Sequence, residues 1–368
     1  MAEPFHAHPG KLHYYIREVF KRLRVPPRDA SRTADVLVAA DLAGVESEGV
    51  ARLSFYVDRI SSRLVNPAAR VRIASESASA AVLDGGNGLG PVLAARAMEL
   101  AVRKAERTGA AVVTVRNSNY FGMAGYYARL ALAHDMIGLA LSNAHPAVVP
   151  PGHTRPMVGS GPFAMAAPTL SGVPFVLDLS ASAGSVGKIE VARRLGQPIP
   201  EGWALDGSGQ PTIDPAAALK ALRLLPLGGG AETGGYKGFG LALAIDVLCG
   251  VLSGGAFGQE LAGAWGERPG VAKIGHLLAA LRIRSFSPLA RFKSRLDEML
   301  GKLTRLEQPR FFYPGEPEHQ AERERRANGI LLSGELSLEL ERLGRSLGLE
   351  EAWAQLRVGR HSKGSGPA

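Results

Sequence analysis

The chain has 368 residues, of which 46% are hydrophobic and 21% are charged, which excludes a disordered protein and a single small module. Its net charge of +9 comes mostly from arginines scattered among acidic residues. Because no zinc-finger, RNP or basic-heptad pattern accompanies them, no nucleic-acid partner is expected. The single cysteine, Cys249, excludes a disulfide framework, and residues 1–10 lack the basic and apolar segments of a signal peptide, so a cytoplasmic location is predicted.

The first seventy residues are predicted to be helical. Residues 12–23 carry apolar side chains at the spacing of one helix face, and Pro26 and Pro27 end that helix. Further helices are predicted over residues 30–44 and 53–64.

From residue 80 onward, short apolar runs alternate with helical stretches. This alternation is typical of an α/β protein whose helices cover a sheet. Strands are predicted at residues 80–84, 110–115, 137–142 and 173–179, and helices at residues 91–108 and 124–134.

Residues 238–258 form the longest apolar stretch, interrupted only by Asp246. The length would allow a membrane span, but the acid and several glycines favour a buried, tightly packed core helix, so no membrane partner is expected. An amphipathic helix at residues 288–303 and a last helical pair within residues 318–356 are predicted to follow.

Standard cofactor and metal motifs are absent from the sequence. Residues 159–164 approach a dinucleotide-binding glycine pattern, but Pro162 and Pro168 leave no room for the helix whose N-terminus must face the pyrophosphate. Residues 185–188 lack the first glycine of a P-loop, and the nine histidines show no metal-ligand spacing, so no metal site is predicted.

Several segments, taken as whole phrases, resemble one family. Residues 41–53, DLAGVESEGVARL, resemble the "aD-GveSHGv-RL" segment of the type 2 malate/L-lactate dehydrogenases, and residues 116–127, RNSNYFGMAGYY, resemble their "rNSnHFG-aGyYa" segment. These NAD(P)-dependent oxidoreductases also include ureidoglycolate, sulfolactate, diketogulonate and Δ1-piperideine-2-carboxylate reductases. Further segments follow the family order at residues 175–180, 187–190, 200–206, 225–229, 236–241 and 314–316, so the resemblance covers about residues 12–350.

The resemblance implies a non-Rossmann α/β subdomain that binds NADH or NADPH, beside an all-α subdomain built from both chain ends. It also implies a homodimer whose substrate binds between the subdomains. We expect the all-α subdomain at residues 1–70 plus 270–356, the α/β subdomain at residues 71–269, and a disordered tail at residues 357–368.

The resemblance also implies the binding residues. Arg52, with Ser47 beside it, is expected to hold the carboxylate of a small acidic substrate, since the planar guanidinium can bind a carboxylate with two parallel hydrogen bonds. The family's cofactor segments match Phe121, Gly122, Ser160, Asp178, Ser180, Lys188, Lys237, Pro314, Gly315 and Glu316.

The sequence departs from the family at two catalytic positions. The family's proposed proton donor, the histidine of "SHG", is Glu48 here, and the histidine of "HFG" is Tyr120. Hydride reduction of a ketone makes an alkoxide, which needs a proton from an acid with a pKa near the working pH. A glutamate with an ordinary pKa near 4.3 is ionised at pH 7, but burial can raise it to about 6 or 7.

Three readings follow from these departures. In the first, the enzyme reduces the C=N bond of a cyclic ketimine acid, whose protonated iminium arrives with its proton and is stabilised by Glu48. In the second, Glu48 or Tyr120 replaces histidine as proton donor for a 2-oxo acid. In the third, the fold is a scaffold without redox activity. Structural roles are also open: Tyr120 can fill the space of an imidazole, and Glu48 can pair with Arg52 four residues on.

Overall fold

A computed structural model of the chain describes residues 3–263, 270–306 and 309–357. Its strands are, in chain order, β1 (Phe5–Ala7), β2 (Arg72–Glu76), β3 (Ala80–Asp84), β4 (Ala110–Ser118), β5 (Met136–Ser142), β6 (Pro162–Ala167), β7 (Phe175–Ser180), β8 (Ala204–Leu205), β9 (Pro211–Thr212), β10 (Arg223–Leu224), β11 (Ile274–Arg282) and β12 (Ile330–Leu332). Seven of them form a central sheet in the order β2-β3-β4-β11-β5-β6-β7. Only the neighbours β3 and β4 run parallel in that sheet.

Helices cover both faces of the sheet and build a separate layer from the two chain ends. They are α1 (Pro9–Arg22), α2 (Pro27–Leu42), α3 (Leu53–Ser61), α4 (Gly90–Thr108), α5 (Ala124–Leu130), α6 (Val186–Arg194), α7 (Pro215–Ala221), α8 (Gly235–Asp246), α9 (Leu289–Thr304), α10 (Glu316–Asn328), α11 (Gly334–Ser346) and α12 (Glu350–Ala354). The mixed α/β fold class predicted from the alternating pattern is confirmed.

Helix α4 shows why these segments fold as they do. Pro91 occupies its first turn, where a missing N–H is tolerated. Its apolar stripe, which includes Met98, packs on the sheet in one core with Leu278 of β11 and Tyr127 of α5. The helix ends at Gly109, whose φ of +86° is a conformation that glycine adopts without strain.

The chain ends meet in a second core. Tyr15 of α1 is fully buried, and its hydroxyl donates to the carbonyl of Leu340 in α11 at 2.6 Å. The short strands β1 and β12 pair antiparallel beside it. The first and last helical segments therefore pack against each other.

The prediction that residues 270–356 belong to an all-α subdomain is wrong for the beginning of this range. Strand β11 lies in the middle of the central sheet, between β4 and β5. Both faces of this strand are covered, so it reads as a nearly continuous apolar run, which periodicity cannot distinguish from a buried helix. Of the expected disordered tail, Arg357 forms a bridge with Ala7, and residues 358–368 lie outside the described residues.

The expected buried helix over residues 238–258 is also corrected. Helix α8 continues into a π-helical turn at Val247–Val251, and one side of this segment is exposed. The acid at its centre, Asp246, is buried and accepts hydrogen bonds from the Asn143 side chain at 2.9 Å and the Gly258 N–H at 2.8 Å. The exposed apolar side chains, which we name the α8 face, are Leu243, Val247, Leu248, Val251 and Leu252. Within the described residues, no helix is both long and apolar enough to cross a membrane.

Two glycines with opposite surroundings give a test of the packing. A Cβ on Gly138 of β5 would lie 2.1 Å from the Ala128 carbonyl oxygen of α5, whereas a Cβ on Gly301 of α9 meets no atom within 4 Å. We expect Gly138→Ala to lower the free energy of unfolding by about 1–3 kcal/mol, because helix and sheet must separate. Gly301→Ala should raise it by about 0.4–1 kcal/mol. Urea unfolding measures both, and wild-type stability of Gly138→Ala would contradict the packing.

Candidate active site

A cleft of about 1040 Å³ lies where the helical layer meets the sheet. Its walls come from the two 3₁₀ turns at Glu46–Glu48 and Val50–Arg52, which we call the active-site turn (residues 46–52), and from loops that follow β4 and β5. Strand β7 and the beginnings of α6 and α10 complete it. The sequence-predicted residues that line the cleft are Ser47, Glu48, Arg52, Tyr120, Phe121, Gly122, Ser160, Asp178, Ser180, Lys188 and Gly315.

The two residues that replace the family histidines are in direct contact. Glu48 and Tyr120 are both half-buried, and the Tyr120 hydroxyl donates a hydrogen bond to Oε2 of Glu48. The pKa of Glu48 is raised to about 7, mainly by burial; the guanidinium of Arg52 opposes this rise, and the nearby carboxyl groups of Asp178 and Glu190 contribute to it. A carboxyl group with such a pKa can exchange a proton near neutral pH.

Arg52 is held in place by two acceptors. It is 6% exposed, its Nη1 lies 2.5 Å from Oε2 of Glu190, and its Nε donates to the Ser47 carbonyl at 2.7 Å. A Cβ on Gly187 would lie 2.5 Å from Nη2 of Arg52, so a larger residue at position 187 would displace this guanidinium. Glu190 of α6 was not singled out from the sequence, where it lies 138 residues away from Arg52.

The buried carboxyl group of Asp41 supports the active-site turn. Asp41, in the last turn of α2, accepts a hydrogen bond from the Val50 N–H at 2.8 Å. A Cβ on Gly49 would lie 1.9 Å from Oδ1 of Asp41, so a larger residue at position 49 would displace this carboxyl group. Burial raises the pKa of Asp41 to about 7.

Asp178 on β7 faces the cleft opposite the active-site turn. Its Oδ2 accepts a hydrogen bond from the Gly125 N–H, at the beginning of α5, at 2.6 Å. Although the residue is exposed to solvent in the cleft, the surrounding protein desolvates its carboxyl group, and this raises its pKa above the usual range. The carboxyl group of Glu318 acts in the same direction, and the ammonium of Lys188 opposes it.

Phe121 is fixed by a buried stack that the sequence did not reveal. Its ring lies between His276, with centroids 4.7 Å apart, and Tyr127, at 4.9 Å. The ring nitrogens of His276 lie 2.9 Å from the Ser142 hydroxyl and 2.7 Å from the Ser118 hydroxyl. Burial lowers the pKa of His276 to about 3, so the imidazole is neutral. The signal available in the sequence was a lone histidine within the apolar run of β11.

A second histidine that sequence reasoning missed lines the cleft itself. His145 follows β5, two residues after Asn143, and is buried. Burial and the nearby guanidinium of Arg59 lower its pKa to about 4. The cleft therefore contains a neutral imidazole, although both family histidines are replaced.

Three predicted cofactor residues do not line the cleft. Pro314 and Glu316 flank Gly315, and Glu316 pairs with Arg310 at 2.5 Å. Lys237, near the beginning of α8, is exposed, with its ammonium 5.8 Å from the Tyr236 ring. Within residues 3–263, 270–306 and 309–357, no group of three or more His, Cys, Asp or Glu side chains is placed to hold a metal.

Comparison with known proteins shows the family of the chain. Residues 8–341 match the family model described as malate/L-lactate dehydrogenase. The malate dehydrogenase of Pyrococcus abyssi is 43% identical over 294 residues, 80% of each chain. The solved malate dehydrogenase of Pyrococcus horikoshii superposes with a TM-score of 0.86 at 36% identity, over 95% of this chain and 99% of the other.

Other relatives extend the range of substrates and cofactors. The NADP⁺-dependent (2R)-3-sulfolactate dehydrogenase of Chromohalobacter salexigens is 35% identical over 82% of this chain and 87% of its own. The NAD⁺-dependent ureidoglycolate dehydrogenase of Escherichia coli K12 is 31% identical over 87% and 90%. The solved Δ1-piperideine-2-carboxylate reductase of Pseudomonas syringae superposes with a TM-score of 0.82 at 28% identity, over 92% and 99%. The chain belongs to the malate/L-lactate dehydrogenase family and is an NAD(P)-dependent oxidoreductase.

Proposed function

We propose that this oxidoreductase interconverts a small 2-oxo acid and its 2-hydroxy acid, with Glu48 as the acid and base. The observation that carries the proposal is the desolvated Glu48 carboxyl group in the cleft, hydrogen-bonded by Tyr120 and with a pKa of about 7. Imine reduction was the first reading of the sequence. An acid with this pKa favours the second reading, because it removes the objection that an ordinary glutamate cannot donate a proton at pH 7.

In this proposal, residues of the cleft bind and orient the substrate and transfer the proton. The bound nicotinamide nucleotide provides or accepts the hydride. Arg52 binds the substrate carboxylate and orients the carbonyl carbon toward that hydride. The alkoxide oxygen takes its proton from Glu48, and the carboxylate left behind is stabilised by the Tyr120 hydroxyl and the charge of Arg52. In the oxidation direction, Glu48 accepts the same proton.

The cleft fits a nicotinamide nucleotide. At its α10 edge, Oε2 of Glu318 is buried without a hydrogen-bond partner among the described residues, and a ribose hydroxyl is a donor that suits it. Gly315, at φ +98°, brings the backbone so close to β7 that a Cβ would lie 2.8 Å from the Pro174 carbonyl oxygen and the Val176 nitrogen. We propose that these residues, with Ser160, Ser180 and Lys188, hold the cofactor.

Reduction of a cyclic ketimine acid is a second candidate. It is supported by the cluster of acidic side chains near the Arg52 cation: Asp178 and Glu190 lie close enough to Glu48 to raise its pKa, while Arg52 lowers it. An ionised Glu48 in this setting would stabilise a protonated iminium. The superposition on the Δ1-piperideine-2-carboxylate reductase is consistent with this reading.

The role of Glu48 is tested by Glu48→Gln and by the pH dependence of the wild type. For reduction of 2-oxo acids, kcat/KM should fall as pH rises through about 7, because the protonated form is the donor; for oxidation it should rise through the same pH. Glu48→Gln should lower 2-oxo acid reduction by roughly 10²–10⁴-fold and remove this inflection. NADH and NADPH absorbance follows both substrate classes, and calorimetric titration checks that each variant binds cofactor.

Matched variants separate the readings. Tyr120→Phe removes a donor to the ionised form and should shift the inflection to higher pH, whereas Glu298→Gln, an exposed carboxyl on α9, should change nothing. Faster wild-type turnover of ketimines, with a loss of roughly 10–100-fold in Glu48→Gln, would favour the second candidate. Cofactor binding without turnover of either class would exclude both candidate substrate classes.

Arg52 is tested against its own partner. Arg52→Lys should raise KM for an acidic substrate at least about tenfold, about 1.4 kcal/mol, because an ammonium cannot form the paired hydrogen bonds. Glu190→Gln keeps the length of the side chain but removes the competing charge 2.5 Å from Nη1, so it should not raise KM in the same way. An unchanged KM in Arg52→Lys would assign Arg52 a purely structural role.

We also propose that the chain forms a homodimer through the α8 face. Leu243, Val247, Val251 and Leu252 are 46%, 53%, 54% and 57% exposed, and contiguous apolar exposure of this kind marks an interaction surface. Val247→Glu with Val251→Glu should convert the dimer to a monomer in light scattering coupled to size exclusion. Leu331→Glu, at an equally exposed leucine of β12, should not. A monomeric wild type would contradict the proposal.

A further inference from the structure

We infer that Arg325 is a positioning residue, through which α10 holds the active-site turn and so fixes Glu48 and Arg52 in the cleft. The inference rests on the roles proposed above for those two residues. Arg325 itself does not line the cleft.

One guanidinium joins both ends of the segment that leads into the turn. Nη1 of Arg325 donates to the Asp41 carbonyl oxygen at 2.6 Å, and Nη2 pairs with the Glu46 carboxylate. Gly44, at φ +79°, reverses the chain between these two acceptors. A Cβ on Gly44 would lie 3.4 Å from the Ala321 Cβ of α10, so this segment rests directly against the helix.

Asp41 connects the segment held by Arg325 to the active-site turn. Its carbonyl oxygen is held by Arg325, and its carboxyl group accepts the Val50 N–H and fills the space beside Gly49. Val50 and Gly49 lie in sequence between Glu48 and Arg52. A displacement of Asp41 therefore moves both functional side chains together.

Helix α10 also belongs to the cleft at its other end. Gly315, Glu318 and His319 line the cleft, and Arg325 lies seven residues, about two helical turns, beyond Glu318. Helix α10 thus lines one edge of the cofactor cleft and also holds the active-site turn through Arg325. A planar guanidinium suits two separate acceptors, whereas a lysine offers one point charge.

Arg325→Met keeps the apolar stem and removes the donors, and Arg325→Lys keeps the charge. The control is Arg326→Met, whose exposed guanidinium contacts Glu322 on the same helix at 2.6 Å. Hydrogen–deuterium exchange of peptides spanning residues 46–52 should become at least about tenfold faster in Arg325→Met, intermediate in Arg325→Lys, and stay at the wild-type rate in Arg326→Met. In Arg325→Met, kcat/KM for the acidic substrate should fall at least about tenfold, while the Kd for NADH changes by less than about threefold.

Exchange is measured without substrate, so it decides this inference even if no proposed substrate is turned over. Unchanged exchange over residues 46–52 in Arg325→Met would overturn it. So would a lower Tm with unchanged kcat/KM, or a loss of NADH affinity as large as the loss of kcat/KM, because either result indicates general damage. If Arg325→Met does not fold, Glu46→Gln, which weakens one of the two contacts, provides the same exchange test.

Discussion

The desolvated carboxyl group of Glu48 is the feature around which the rest of the cleft is arranged. Burial disfavours its ionised form, so its pKa rises to about 7. Between the pKa of an unfolded glutamate and about 7, the folded chain binds more protons than the unfolded chain, so this group weakens folding as pH rises through that window. Asp41, with a pKa raised in the same direction, has the same sign. The surrounding packing must therefore hold this turn against an electrostatic cost.

The two departures from the family are best considered as one change. The Tyr120 hydroxyl donates a hydrogen bond to Glu48, so a phenol and a carboxyl group in contact occupy the two positions where the family segments have imidazoles. The rings of Phe55 and Tyr56 pack edge-on and tilted against Tyr120, with centroids 5.6 and 5.8 Å away, and fix the direction of its hydroxyl. The expectation that Tyr120 merely fills the space of an imidazole is thus incomplete.

The sequence predicts features that depend on neighbouring residues better than features that depend on residues far away along the chain. Helices α1 and α4 and strands such as β3 follow from local periodicity, and the cleft residues follow from the family segments. Strand β11 was missed because its place in the sheet depends on pairing with strands more than a hundred residues away. Glu190 and Arg325 were missed for the same reason, since their partners lie 138 and 279 or more residues away in the chain.

The two candidate reactions differ in the location of a single proton before hydride transfer. A 2-oxo acid needs that proton on Glu48, whereas a ketimine acid carries it on its own nitrogen and needs Glu48 ionised. The total charge of the occupied cleft is the same in both cases, so the arrangement of Arg52, Asp178 and Glu190 around Glu48 does not by itself choose between them. The pKa of Glu48 sets which form is present: at about 7, the protonated form that a 2-oxo acid needs is available near neutral pH, beside the ionised form. Conditions or substitutions that move this pKa upward favour the ketone, and those that move it downward favour the iminium.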